Sequence, residues 1–389
     1  MHLYHAKYVL PIASPPIEDG VVGVEGERIA AVGRRADFSG PMTDLGERAL
    51  LPGFINAHCH LDYTNMAGKL PFKGSFADWI ADIVVLKRLW WTKDYAASAS
   101  AGLEALLRSG TTTVCDIASS PANLDLVAGA PLRVLSCLEL VDVAGRPAAE
   151  KFWERCAGLS PHAPYTASQE LYRKAHEFCR RRGGIFTTHA AESGEEAAMF
   201  ERRSGPLYEL LAVLGRSPDD CGRGSSVAWL DDCGALDGAL AVHANCLSDD
   251  DVARLARAGA TVVHCPSSHR FYAHPAFPFE RLRSAGVPVC LGTDSKASGT
   301  TLDMRAEMRD FLAAFPSLRP AGALEMATLT AAKALNRDAV TGTLGVGSRA
   351  DMIAVPLADA VPDVTEAVVG GRDAVGWVMV NGKVVRNES

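Results

Sequence analysis

The chain has 389 residues, 48% of them hydrophobic and 22% charged, with a formal net charge of -7. That profile fits one large globular domain plus a smaller one, and its mild acidity argues against nucleic acid or an anionic membrane surface as the main partner. No apolar run approaches the roughly 20 residues of a membrane helix, and Pro11, Pro15, Pro16, Glu18 and Asp19 break any signal-peptide pattern.

The first 48 residues alternate β-rich runs with turns, at Tyr4 to Leu10, Gly20 to Val24 and Arg28 to Val32, with a hairpin turn at Gly26-Glu27. Residues 341 to 389 repeat the pattern: Met352 to Val355, Trp377 to Val380, the turn Asn381-Gly382, then Val384-Val385. Neither end has enough apolar residues for its own core. The expectation is one small composite β-sandwich, built from segments 1–48 and 341–389.

Residues 49 to 340 read as alternating strands and helices. Leu51 to Ala57 is an apolar strand. A helix over Ala97 to Arg108, stopped by Gly110, leads to the strand Thr111 to Ile117. Leu132 to Val141 is a further strand, and the helix Gln169 to Arg182 precedes Ile185 to His189. Strands at Ala239 to His243, Ala260 to His264 and Val287 to Leu291 alternate with helices at Asp249 to Ala258 and Phe279 to Ala285. This is the pattern of an α/β (β/α)8 TIM-like barrel. A doubly wound open sheet is the competing architecture, but no glycine-rich phosphate turn follows an early strand. The ten cysteines are scattered with no C-x-x-C pair, as in a reduced, cytoplasmic protein.

Active-site residues of such barrels lie at strand C-termini. Here His58 and His60 end the first strand, and their spacing of two puts both rings on one face. Glu139 lies near the end of the third strand, and His162 follows a short run. His189 ends its strand with Glu192 three residues on. His243, His264 and Asp294 end the remaining ones. Two imidazoles on one face suit a metal with nitrogen ligands. For Asp294 the competing reading is a helix N-cap. For Glu192 it is a solvated first-turn position, as Glu195 and Glu196 are read.

The segments PGFINAHCHLD, SPHAPYTAS, THAAES, VHANCLSDDD, HCPSSH and GTDSKAS, followed by TGTLGVGSRADMIAV, occur in one order over nearly the whole chain. In these the sequence resembles the amidohydrolase superfamily, in the branch of cytosine, guanine and S-adenosylhomocysteine deaminases and triazine chlorohydrolases. The resemblance implies a distorted barrel and one divalent metal ion per chain, zinc with iron as the alternative. His58, His60, His189 and Asp294 would be its ligands, and a single ion is expected because no lysine aligns with the bridging lysine of two-metal members. It implies Glu192 as the acid–base group, His243 as the residue that orients the attacking water, and Asp294 as acceptor of that water's proton.

His162 corresponds to a substrate contact or to a structural residue in a proline-held loop. Glu139 and His269 are further candidate substrate contacts, although relatives commonly carry asparagine where His269 stands. Lys296 also departs from the commoner pattern, Asp62 reads as structural, and His264 as a support for other site residues. Between Leu61 and Trp91, Phe72, Phe76, Trp79 and Trp90 lie in a segment that the family uses as a cover. Their rings suit stacking on a flat heterocycle, and equally core packing. The combination HCHLDYT, F-x-D-W-I and Glu139 resembles aminodeoxyfutalosine deaminases. The expected activity is hydrolytic deamination of a purine-like or other nitrogen heterocycle, with a chlorohydrolase or ring-opening cyclic-amidine hydrolase as the alternative. The expected assembly is a homodimer acting in the cytoplasm on a small heterocyclic substrate.

Overall fold

The computed structural model describes residues 1–143, 149–358 and 362–388. Five strands come first: β1 (His2–Val9), β2 (Ile17–Glu25), β3 (Arg28–Arg34), β4 (Met42–Asp44) and β5 (Arg48–Pro52). Eight follow in the middle: β6 (Phe54–Cys59), β7 (Thr111–Ala118), β8 (Arg133–Leu140), β9 (Gly158–Pro161), β10 (Ile185–Ala190), β11 (Leu240–His243), β12 (Thr261–His264) and β13 (Val289–Leu291). Three more lie near the C-terminus: β14 (Met352–Pro356), β15 (Trp377–Val380) and β16 (Lys383–Asn387).

The two chain ends make one sheet in the order β16-β15-β14-β5-β1-β2-β3, with β4 also beside β1. They join where β14 runs antiparallel to β5, pairing Met352 with Pro52 and Pro356 with Arg48. Alternation along β14 explains why the sheet holds to the rest of the molecule. Met352 and Ala354 point into the sheet's own core with Val22, Leu50 and Trp377. Ile353 and Val355 point the other way, into the main core. The expected Asn-Gly turn joins β15 to β16 with both residues left-handed, at φ 49° and 72°. Asparagine and glycine tolerate that conformation best.

Leu51 to Ala57 is not one strand. The chain leaves the terminal sheet at Pro52 and enters the barrel at Phe54, so residues 49–52 sit in the terminal sheet and not in the barrel. The break falls at Gly53, where a Cβ would lie 2.1 Å from Thr112 Oγ1 and Cγ2. Only glycine allows that approach of backbone to side chain.

β6 to β13 pair in parallel, each with the next, as a (β/α)8 barrel. The ends meet where the Thr293 and Asp294 amides both donate to the His58 carbonyl oxygen, each at 3.1 Å. Ile55, Ala57, Cys115, Ile117, Cys137, Val242, Val263 and Cys290 fill the interior, with Ala331, Ala332 and Leu335 from the chain after β13. All ten cysteines are free thiols. The barrel is irregular, because only short 3-10 turns, Pro121–Val127 and Glu150–Arg155, follow β7 and β8 among the described residues. The helix Gln169–Arg182 has the expected ends, with Ser168 accepting from the Leu171 amide and Gly183 left-handed after it. After β6 two helices run in series, Phe76–Leu89 and Thr92–Arg108. The first was not legible as a helix, and the second starts five residues before Ala97. Among the described residues no helix is long and apolar enough to cross a membrane.

Candidate active site

Period two on β6 places His58 and His60 side by side, with ring centroids 5.0 Å apart and planes at 84°. β10 supplies His189, 4.9 Å from the His58 ring. The barrel closure supplies Asp294, whose Oδ1 lies 3.6 Å from His58 Nε2 and 3.5 Å from His60 Nε2. One ligand atom from each of the four residues fits within a 4.8 Å span, and all four side chains are buried.

The hydrogen bonds leave those atoms free for a cation. His189 Nδ1 donates to the His162 carbonyl oxygen at 2.7 Å, which turns Nε2 toward the cluster. Asp294 Oδ2 accepts from Ser268 Oγ and Ser298 Oγ, both at 2.7 Å, which leaves Oδ1. Both nitrogens of His58 and Nδ1 of His60 are buried without a hydrogen-bond partner. Burial, then the neighbouring His58, lowers His60 to about 4. Burial, then His58, His162 and His243, lowers His189 well below its ordinary value. Neutral imidazoles are the metal-binding form. Burial opposes ionisation of Asp294, but the imidazoles of His58, His243 and His60 outweigh it and hold the carboxyl well below the usual range. Three imidazole nitrogens and one carboxylate oxygen, buried together with orphaned polar atoms, make a metal-binding cluster. Asp294 is not a helix N-cap. It sits at φ 57°, and the next helix, Met304–Ala314, is capped by Asp303.

Glu192 follows β10 after the left-handed Ala191, at φ 50°. Its carboxyl is buried, with Oε1 3.5 Å from His243 Nε2. Burial first, then the charges of Asp294 and Glu196, push it well above the usual carboxylate range. His243 ends β11 at φ 73°, with its ring stacked on His189 at 5.3 Å and its Nε2 without a hydrogen-bond partner. Burial above all lowers it to about 3. A carboxyl of raised proton affinity and an imidazole of lowered proton affinity therefore meet beside the cluster.

Glu196 does not lie on a solvated face, and Glu195 is half-buried. Glu196 is fully buried and accepts from the Ala191 amide at 2.9 Å and the Glu192 amide at 2.8 Å. Glu195 accepts from the Phe76 and Ala77 amides, at the start of the helix Phe76–Leu89. Asn245 Nδ2 donates to the Glu192 carbonyl oxygen at 3.0 Å, and Asn245 Oδ1 lies 3.0 Å from His269 Nδ1. So His269 meets Asn245, which in turn holds the Glu192 backbone. Glu196 was read from the sequence as solvated, and Asn245 was not singled out. The signal was there for Glu196, as S-x-x-E from Ser193, whose Oγ accepts from the Glu196 amide at 3.1 Å.

The other candidates surround this centre. His162 lies 4.9 Å from the His189 ring, with Nδ1 2.7 Å from Thr166 Oγ1. Glu139 is 3.7 Å from Lys87 Nζ. Burial would raise the Glu139 carboxyl, but Lys87, then His162 and His60, hold it below its ordinary value. Trp79 is buried edge-on against Tyr272 at 5.2 Å, in a group with Phe72 and Phe76. His264 stacks on Phe277 at 3.8 Å, outside the cluster. Asp62 accepts from the Ser119 amide and hydroxyl and from Asn123 Nδ2. Lys296 is half-buried in the turn that presents Ser298 to Asp294. Asp116, at the end of β7, was not singled out from the sequence. It accepts from the Leu61 amide at 3.0 Å, fixing the chain just past His60, and burial followed by the Asp62 charge pushes it up to about 8.

The Amidohydrolase family model matches residues 49–385. An aminodeoxyfutalosine deaminase of Deinococcus radiodurans is 33% identical over 334 residues, covering 77% of this chain and 78% of that protein. A 5-methylthioadenosine/S-adenosylhomocysteine deaminase of Moorella thermoacetica is 31% identical over 424 aligned residues, covering 97% of this chain and 92% of that one. Among solved structures, an adenosine deaminase from Xanthomonas campestris with bound zinc aligns with 99% of this chain and 92% of its own, at a TM-score of 0.85 and 25% identity.

Proposed function

This chain belongs to the Amidohydrolase family, and from that premise we propose that it is a metal-dependent aminohydrolase that releases ammonia from an adenine nucleoside derivative. The observation that carries this reading is the buried Glu192 carboxyl, 3.5 Å from His243 and beside the His58–His60–His189–Asp294 cluster. Three imidazoles and one carboxylate support a single ion, zinc before iron. When bound by these residues, such an ion would lower the pKa of a coordinated water to about 7 and make it reactive at neutral pH.

The residues then divide the proton traffic. His243 Nε2, with no partner in the protein, orients the water oxygen toward the ring carbon that carries the amino group. Glu192 Oε donates its proton to the adjacent ring nitrogen as the carbon–oxygen bond forms. The carboxylate left behind takes a proton from the added water oxygen and delivers it to the amino nitrogen. The carbon–nitrogen bond then breaks and ammonia departs; the second proton of the added water passes from its oxygen to Glu192, which regains its starting form, and the ring keeps the oxygen as a carbonyl. The high proton affinity of Glu192 suits the first step, because the group must hold a proton at neutral pH. Asp294, held ionised, keeps its charge at the cluster. Trp79, His162 and Glu139 line the approach as substrate contacts.

The relatives favour an adenine ring with a varied 5′ substituent, since their names specify aminodeoxyfutalosine, methylthioadenosine and S-adenosylhomocysteine. The ten free thiols suit a reducing, cytoplasmic setting. Zinc-loaded protein should be screened for ammonia release from these three nucleosides, adenosine, guanine and cytosine. Turnover of an adenine nucleoside is the expected result. Chloride release from a chlorotriazine, with no ammonia from any amino heterocycle, would replace this reading by dechlorination.

A further inference from the structure

The segment after β10 does more than carry Glu192. Three glutamates, at 192, 195 and 196, point three ways from one turn. Glu192 faces His243, and Glu196 turns inward onto the Ala191 and Glu192 amides. Glu195 reaches across to another element. Its Oε1 accepts from the Phe76 amide at 2.8 Å and its Oε2 from the Ala77 amide at 3.0 Å. These are the first two amides of the helix Phe76–Leu89, and Ser75 Oγ takes the third, from Asp78, at 3.2 Å. A carboxylate that accepts two amides at a helix N-terminus forms charge-assisted bonds and meets the positive end of the helix dipole.

That helix carries two of the buried rings packed on Tyr272. Phe76 and Trp79 pack on Tyr272 at 5.4 and 5.2 Å. In its last turn, Lys87 faces Glu139 at 3.7 Å and lies over the Tyr63 ring at 4.9 Å, and Tyr63 is stacked on the ligand His60. The helix is thus tied at its first turn to the segment that carries Glu192, and at its last turn to the surroundings of His60.

The geometry points to Glu195 as a positioning residue: it latches the helix Phe76–Leu89 over the metal pocket and couples the placement of Trp79 to that of Glu192. This rests on the aminohydrolase reading for its consequence in turnover, but not for its geometry. A helix held in its binding-competent position costs the substrate nothing to close, whereas a loosened one weakens apparent affinity by the fraction of time it is open.

The test is hydrogen–deuterium exchange on the full-length, zinc-loaded protein without substrate. Glu195→Ala should speed exchange of amides 76 to 82 by about tenfold, while β6, β10 and the Asp294 segment keep wild-type protection and metal content is unchanged. Glu195→Gln keeps one acceptor oxygen and should fall between the two. In turnover, KM should rise in proportion to the time the helix spends released, with kcat changed less than about threefold, a split that general loss of stability does not produce. Unaltered exchange over 76 to 82, or an increase spread evenly over the barrel, overturns the latch. Absence of ammonia release by the wild-type protein would overturn the aminohydrolase reading and leave the exchange result to decide the latch by itself.

Discussion

The amide of Asp294 donates to the carbonyl oxygen of His58 over 3.1 Å, joining two metal-cluster residues 236 positions apart. The bond that closes the barrel is also the bond that sets the cluster. Asn56 reinforces it, with Nδ2 donating to Thr293 Oγ1 at 2.8 Å and Oδ1 accepting the Thr293 amide at 3.2 Å.

Gly292→Ala should damage stability and metal binding together. A Cβ at this position would lie 2.9 Å from the His58 backbone nitrogen, carbonyl oxygen and Cβ. Neither backbone can retreat without opening the closure, and forcing in an extra methyl costs about 1–3 kcal/mol. Thermal unfolding and metal analysis of the same preparation check this. A stable variant with full metal would show that the closure tolerates displacement.

Metal analysis should return about one divalent ion per wild-type chain, because the described residues hold one four-ligand cluster. His58→Ala removes one of three imidazoles and should lower both metal content and turnover. Two ions per chain, or full retention in the variant, would contradict the ligand assignment.

Glu192→Gln should keep its metal and lose turnover by about 10²- to 10⁴-fold, the usual contribution of general acid–base catalysis. Size is preserved, the Glu196 and Asn245 bonds go to the backbone of residue 192, and no cluster ligand changes. What disappears is a proton that can be given and taken back. In the wild-type enzyme the raised Glu192 pKa places the fall in activity on the alkaline side, where the starting acid is ionised. A pH–rate profile of both proteins checks the sign. Near-normal ammonia release from the metal-loaded variant would remove Glu192 from the chemistry.

Glu307 should make stability depend on pH through a group outside the metal cluster itself. Its carboxyl is fully buried, and Oε2 accepts from the Ser267 amide at 2.9 Å. Burial chiefly raises it from 4.5 to about 8. Folded protein therefore holds a proton that unfolded chain has released between those values, so this contribution is complete below pH 4.5 and is lost as pH rises toward about 8. Each unit of the window is worth about 1.4 kcal/mol at most. Glu307→Gln retains the acceptor and removes the titration. Relative to wild type it should gain stability from pH 5 to pH 8 and level off above, as read by denaturant unfolding. A constant difference across that range would show that the carboxyl titrates normally.

The sequence by itself determined what depends on neighbours along the chain. A spacing of two on a strand puts His58 and His60 on one face wherever that strand lies, because the pleat alternates side chains. Asn381-Gly382 makes its turn for local conformational reasons, and the alternation of strands with helices already implies a parallel barrel with its chemistry at the strand ends. Tertiary structure decided what depends on desolvation and on contacts between distant segments. E-S-G-E-E reads as a polar helix start, and only packing buries Glu196 against the amides of 191 and 192 while sending Glu195 to Phe76 and Ala77. His269, at a position expected to meet substrate, also bonds Asn245, because Asn245 is placed beside it by a different strand end. Gly53 separates two sheets because Thr112 lies against it, a contact no local pattern records. The ionisation of Glu192 follows the same division: its place after His189 is written in the chain, but its raised proton affinity comes from burial and from the charge of Asp294, which only the closed barrel brings near.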